Sequence, residues 1–319
     1  MKPPIKPRAL MLSKRAYVFY LEHVRVMQKD ERVVYLTETG EPVERFFNIP
    51  ERNTAFVLLG KGTSITDAAA RRLADANVLV GFCGSGGSPL FSVTDIAFLT
   101  PQSEYRPTEY MQAWVKSWFD EPKRLAMGKA MLRQRLEWAL ETWQEDKELL
   151  KRGIKISDDM ARSFESGIKA AADTQTLLLV EAQWAKKLYA CLSRGFKLNF
   201  KREEGKRAGA NKEEDWINGF LDHGNYIAYG YAAVALNGLG ISFSLPLLHG
   251  KTRRGALVFD VADLVKDAYV MPAAFLYGAE KAKQQEFRGA LIEICQKEEI
   301  LDRLFTFVSE LAVKQEDKQ

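Results

Sequence analysis

The chain is poor in the residues that build sulfur-based centres. Three cysteines, Cys83, Cys191 and Cys295, are scattered through 319 residues with no C-x-x-C pair among them. That argues against a thiolate zinc site and against a disulfide framework, and it suits a reducing cytoplasm. Histidine is equally scarce, with three in the whole chain. Charge of one sign is lacking as well: 46 Lys+Arg against 42 Asp+Glu leave +4, so any nucleic-acid surface must be local rather than global. A secretory signal is not expected, because the Pro-rich, basic residues 1–8 are followed by no apolar run of signal length.

Long apolar runs are also missing, with one near exception. No Asp, Glu, Lys or Arg occurs between Asp222 and Lys251, but Asn225, Asn237, Gly238, Gly240, Ser242, Ser244 and Pro246 interrupt the stretch. It reads as a buried core helix over 226–239 followed by an irregular segment, and no membrane partner is expected. Nucleotide loops are absent in their strict form. In Gly60-Lys61-Gly62-Thr63-Ser64 the lysine is not followed directly by Ser or Thr, and Gly84-Ser85-Gly86-Gly87-Ser88-Pro89 ends on proline where G-x-G-x-x-G needs glycine. Both read as turns that use glycine's access to positive φ, and no cofactor-binding loop is assigned.

What is present is a large core and a change of pattern. With 46% hydrophobic residues and balanced charge the chain is expected to fold, and its length suits two domains. Residues 18–28, 33–36, 46–49, 55–59, 78–82 and 89–92 read as strands, separated by turn-forming clusters such as Thr39-Gly40-Glu41-Pro42. A short helix is predicted over 67–77 with Thr66 as its N-cap. From Pro107 onward the period becomes helical, over 108–120, 121–151 (stopped by Gly153), 157–173, 175–194, 213–239, 261–281 and 284–313. The expected class is α+β: a small β-rich N-terminal domain over 1–100 and a larger all-helical domain over 101–319. Residues 314–319 read as a frayed tail.

Chemistry gathers after His249. Asp260 and Asp263 stand three apart at the start of the helix predicted from 261, so both carboxylates project from one face near its positive end. An N-cap with a first-turn acid would look the same. Three features point further: a histidine precedes the pair, histidine is rare here, and the cations Lys251, Arg253, Arg254 and Lys266 surround the acids. Imidazole with converging carboxylates suits Mg²⁺ or Mn²⁺, and arginines would hold the phosphates such a metal activates. Glu181 follows four aliphatic residues, a position equally consistent with a partnered acid in the core and with a solvent-facing stripe beside Gln183 or Lys187. Residues 194–212 carry seven basics (Arg194, Lys197, Lys201, Arg202, Lys206, Arg207, Lys212) against Glu203 and Glu204, or +5, with Tyr189, Phe196 and Phe200 close by. That combination suits a DNA backbone with unstacked bases, and also suits a solvated loop.

At these residues the sequence resembles the CRISPR-associated integrase-endonuclease family of the spacer-adaptation complex, in its subtype I-F form. The resemblance is carried by residues 58–66, 80–84, 99–110 and 221–226, and most specifically by 249–267. It implies a β N-terminal domain for dimerisation and scaffolding, a helical catalytic domain, and a homodimer. It also implies DNA as partner, both fragment and CRISPR repeat, together with a second adaptation protein fused to a helicase-nuclease. The family's metal ligands fall on Glu181, His249 and Asp263, with Asp260 as supporting acid. The expected reaction is attack of a fragment's 3′-hydroxyl on a repeat-end phosphodiester. Lys201, Arg202, Lys206, Arg207, Lys251, Arg253 and Arg254 are the expected DNA contacts, the arginine pair being inferred from proximity alone. A plain metal-dependent phosphodiesterase and a non-catalytic DNA scaffold are the competing classes.

Overall fold

The computed structural model describes residues 11–37, 45–83, 108–203, 213–249 and 255–314. The expected strand over 89–92, the turn at 84–89, the boundary near 100–107 and residues 315–319 lie outside them. Two compact units divide between Tyr105 and Arg106.

The N-terminal unit holds two small sheets. β1 (Tyr17–Leu21), β5 (Thr54–Leu59) and β7 (Leu79–Phe82) form a parallel sheet with β5 in the middle. Every residue of β5, TAFVLL, is buried, as expected of a central parallel strand. The second sheet has the order β4-β3-β2-β6, from β2 (Val24–Lys29), β3 (Arg32–Thr37), β4 (Phe46–Ile49) and β6 (Ser64–Ile65). The β2–β3 hairpin closes on Asp30 and Glu31, both at positive φ (47° and 59°), the conformation of a two-residue type I′ turn. One expected strand over 18–28 is thus two strands. Glu22 and His23 break it, with His23 at φ 53°, and the chain passes from one sheet to the other. Gly62 sits at φ 70°, as its reading as a turn glycine requires. α1 (Asp67–Asp75) starts on Thr66, whose hydroxyl accepts from the Ala69 N–H at 3.3 Å.

Among its described residues the second unit is built of helices joined by irregular stretches: α2 (Glu109–Phe119), α3 (Glu121–Glu145), α4 (Lys147–Lys151), α5 (Asp158–Ala170), α6 (Thr174–Phe196), α7 (Glu213–Gly238), α8 (Ala256–Val265), α9 (Met271–Ala279), α10 (Gln284–Lys297) and α11 (Ile300–Val313). α7 is its axle, buried on nearly all sides from Ile217 to Leu236 and packed against α8, α9, α10 and α11. Gly278 of α9 lets that helix approach closely, since a Cβ there would meet the Ile217 side chain and backbone. No described helix is long and apolar enough to cross a membrane.

Three boundaries differ from the sequence reading. The helix over 121–151 breaks at Asp146, whose carboxylate caps α4 through the N–H groups of Glu148 and Leu149. The helix over 284–313 breaks at Glu299, at φ 48°. The helix expected from 261 begins at Ala256 behind Gly255 (φ 74°) and runs through a π turn, Lys266–Val270, into α9. Asp260 and Asp263 therefore stand in mid-helix, where neither N-capping nor the helix dipole accounts for them.

Candidate metal centre

Four segments of the helical unit meet around these acids. α6 supplies Glu181; the irregular stretch after α7 supplies His249; α8 supplies Asp260 and Asp263; α3 supplies Arg135. The π turn adds Lys266 and Asp267. π turns recur at functional sites because one extra residue re-aims the side chains that follow.

Asp260 is fully enclosed and works as an anchor. Its Oδ2 accepts from the backbone N–H of Leu247 (2.6 Å) and of Leu248 (3.0 Å). Its Oδ1 accepts from the N–H of His249 at 2.9 Å and lies 2.7 Å from the ring Nδ1. A carboxylate at Nδ1 fixes the tautomer, with the proton on Nδ1 and a lone pair on Nε2. That Nε2 is 4.0 Å from Glu181 Oε2 and 4.0 Å from Asp263 Oδ2.

The outer oxygens of the same two acids are occupied. Arg135 Nη1 donates to Glu181 Oε1 at 2.7 Å, and Lys266 Nζ meets Asp263 Oδ1 at 2.7 Å while also donating to the Tyr229 hydroxyl at 3.2 Å. Below them Asp267, with no exposure, takes Arg135 Nε at 2.5 Å, Arg135 Nη2 at 3.1 Å and the Trp184 indole N–H at 2.8 Å. The Trp143 indole donates to the Asp267 carbonyl at 3.0 Å.

The charges perturb one another. Burial works against the Arg135 cation, but Asp267, Asp263 and Glu181 outweigh it and hold its pKa well above the usual value. Burial likewise opposes ionised Asp263, yet Lys266, Arg135 and His249 lower its pKa. For His249, burial favours the neutral ring; the Asp260 hydrogen bond and the charges of Asp263, Asp260 and Glu181 prevail and raise its pKa.

Glu181, His249 and Asp263 each offer one ligand atom, all within 4.8 Å of one another. Four carboxylates (Glu181, Asp260, Asp263, Asp267) face two cations (Arg135, Lys266), which leaves two negative charges when His249 is neutral. One divalent cation supplies that complement. Two carboxylate oxygens and one imidazole nitrogen suit Mg²⁺ or Mn²⁺ better than a soft thiolate-seeking metal.

The structure thus brings together Glu181, His249, Asp260 and Asp263, and it turns Glu181 toward Arg135 and His249, partly buried at 13% side-chain exposure, rather than onto a solvent-facing stripe. Arg135, Asp267, Trp184, Trp143 and Tyr229 were missed. Arg135 could have been found, since it shares the i, i+3, i+4 apolar stripe of Gly128, Met131, Leu132, Leu136 and Ala139. Asp267 could too, one helical turn beyond Asp263. Among the expected DNA contacts, Lys201 is exposed. Arg202 is engaged: it pairs with Asp222 at 2.5 Å and donates to Asn218 Oδ1 at 3.1 Å. Lys206, Arg207, Lys251, Arg253 and Arg254 lie outside the described residues.

A β-rich unit followed by a helical unit with an enclosed acid–imidazole cluster defines a class of two-part α+β proteins with a candidate divalent-cation site. Comparison with known proteins narrows it. The family described as CRISPR associated protein Cas1 matches residues 18–305. A CRISPR-associated endonuclease Cas1 from Pseudomonas aeruginosa (strain UCBPP-PA14) is 44% identical, over 97% of this chain and 96% of that protein. The fold is shared with a casposase bound to integration product (TM-score 0.71, 17% identity, 95% of this chain and 91% of that one). It is shared too with a chain of a Cas6-RT-Cas1–Cas2 complex (TM-score 0.68, 14% identity, 96% of this chain and 35% of that one). The chain belongs to the Cas1 family.

Proposed function

We infer that this protein is a divalent-metal-dependent DNA integrase and endonuclease of CRISPR adaptation, in the subtype I-F form. One observation carries the reading: Glu181, His249 and Asp263, from three segments, each turn one ligand atom into a space within 4.8 Å. Family membership supports it, as does the fold shared with a casposase bound to integration product.

Mg²⁺ or Mn²⁺ held by Glu181, His249 and Asp263 would supply Lewis-acid polarisation of a phosphoryl oxygen and would ease deprotonation of the attacking hydroxyl. The residues around it bind and orient. Asp260 holds the His249 ring with Nε2 facing the ligand space, and Arg135 and Lys266 hold the outer oxygens of Glu181 and Asp263. The fragment's 3′-hydroxyl attacks a phosphodiester at the end of a CRISPR repeat. A new P–O bond forms to the incoming 3′-oxygen, the bond to the repeat's own 3′-oxygen breaks, and a 3′-hydroxyl departs with a proton. One ester replaces another, so no external energy is needed. Water in place of the hydroxyl makes the same site a nuclease.

Lys201, Arg202, Lys206, Arg207, Lys251, Arg253 and Arg254 are the proposed DNA contacts, Lys201 the most accessible of those described. Residues 1–100 serve as scaffold and homodimer contact and 101–319 carry the chemistry, in the cytoplasm. The partner is the second adaptation protein, fused in this subtype to a helicase-nuclease; the fold shared with a Cas1–Cas2 complex supports that pairing.

The test is strand joining by His249→Ala and Asp263→Ala. Loss of the metal's transition-state stabilisation, about 4 kcal/mol, lowers joining and cleavage about 10³-fold. Binding to repeat DNA stays within about threefold, because phosphate contacts set affinity. Wild-type joining by His249→Ala in saturating Mn²⁺ and Mg²⁺ would contradict the assignment. Cleavage without joining by the wild type would favour the phosphodiesterase reading.

A further inference from the structure

We propose that Arg135 is a positioning residue for the metal-binding carboxylates and that Asp267 is the jig that holds it. The proposal rests on the metal-dependent reading above. Arg135 lies on α3, outside the segments that supply Glu181, His249 and Asp263, and is 3% exposed. Its Nε and Nη2 fork onto the two oxygens of Asp267 at 2.5 and 3.1 Å. Asp267 is itself fixed by the Trp184 indole at 2.8 Å, and that ring stacks on Phe164 at 4.4 Å.

A guanidinium is rigid and planar, so fixing two nitrogens fixes the third. The third, Nη1, reaches Glu181 Oε1 at 2.7 Å and Asp263 Oδ2 at 3.5 Å, linking α6 to α8. With Oε1 engaged, Oε2 of Glu181 is the oxygen presented to His249. Charge compensation alone does not explain this reach, because Asp267 already neutralises the guanidinium through two hydrogen bonds. A cation beside the ligands also repels an incoming metal ion, so its benefit there is geometric.

Geometry and charge predict opposite signs, which makes the proposal testable. Mn²⁺ affinity is measured on the full chain without DNA, by the EPR signal of free Mn²⁺, for wild type, Arg135→Gln, Arg135→Lys and His249→Ala. Positioning predicts about 10- to 100-fold weaker binding for Arg135→Gln, the usual cost of losing a residue that orients a ligand. It predicts an intermediate loss for Arg135→Lys, which keeps the charge but cannot fork. Pure electrostatics predicts tighter binding for Arg135→Gln and no change for Arg135→Lys; that result overturns the proposal. A merely structural arginine would lower the melting temperature of the metal-free protein yet leave the Mn²⁺-induced increment intact, which also overturns it. Should Arg135→Gln fail to fold, Arg135→Lys decides by itself. Failure of the metal reading shows differently: the wild type would then bind Mn²⁺ no better than background, or His249→Ala would bind it as tightly as the wild type.

Discussion

On the floor of the candidate metal centre Asp267 has no exposure and both carboxylate oxygens are engaged, by Arg135 twice and by the Trp184 indole. At the mouth, His249 Nε2 stands 4.0 Å from Glu181 Oε2 and 4.0 Å from Asp263 Oδ2, too far for a hydrogen bond, with the His249 side chain 34% exposed. Both regions use carboxylates and a nitrogen base. The floor is closed because its donors match its acceptors; at the mouth acceptors outnumber donors, and an added cation would complete them. For Glu181 the role is read from which of its two oxygens is already committed, Oε1 to Arg135.

The strongest way to break that contrast is to remove each side in turn and compare stability. Asp267→Ala leaves the buried Arg135 charge without its main partner, and thermal or denaturant unfolding should register a loss of about 3–5 kcal/mol. His249→Ala, at the mouth, should cost about 1 kcal/mol or less, because Asp260 keeps its three backbone donors. Equal losses would mean that the mouth is part of the structural core.

Asp260→Asn sharpens the boundary between the two regions. Asparagine retains the shape, but its amide can no longer accept from every present donor or fix the His249 tautomer. Strand joining should fall about 10- to 100-fold, less than for a ligand. A loss as deep as that of Asp263→Ala would make Asp260 a ligand rather than an orienter.

The smallest effect concerns the basic segment. Lys201→Ala should shift the salt dependence of DNA affinity by about 0.9 in slope, the value for one phosphate contact, with little change in stability. Arg202→Ala should in addition lower stability by about 1–3 kcal/mol, because its side chain also bonds Asp222 and Asn218. The reverse pattern would exchange their roles.

The mouth was more legible in the sequence than the floor. His249, Asp260 and Asp263 stood out through rarity and spacing, and the change of period near Pro107 separated β from helical structure. Glu181 was legible only through the family resemblance, since four aliphatic neighbours do not say which face an acid takes. The helix start was misread by five residues because Ala256-Leu257-Val258-Phe259 is an apolar run that fits strand or helix alike. Arg135 passed unnoticed among Arg133, Gln134 and Glu137, where a charged residue is ordinarily solvated. Its burial depends on Asp267, more than a hundred residues away, and a π turn aims that acid inward. The apolar stripe around Arg135 marks its burial, but nothing local tells which distant acid compensates it.

Glu181, His249 and Asp263 are proposed to hold one divalent cation between them. Crystals of the protein grown with Mn²⁺ and measured for anomalous scattering at the manganese edge test it directly. A peak is expected at about 2.0–2.3 Å, ordinary metal–ligand range, from Glu181 Oε2, His249 Nε2 and Asp263 Oδ2. Arg135 should still be forked on Asp267. A peak elsewhere, or none at a Mn²⁺ concentration that sustains full strand joining, would contradict it.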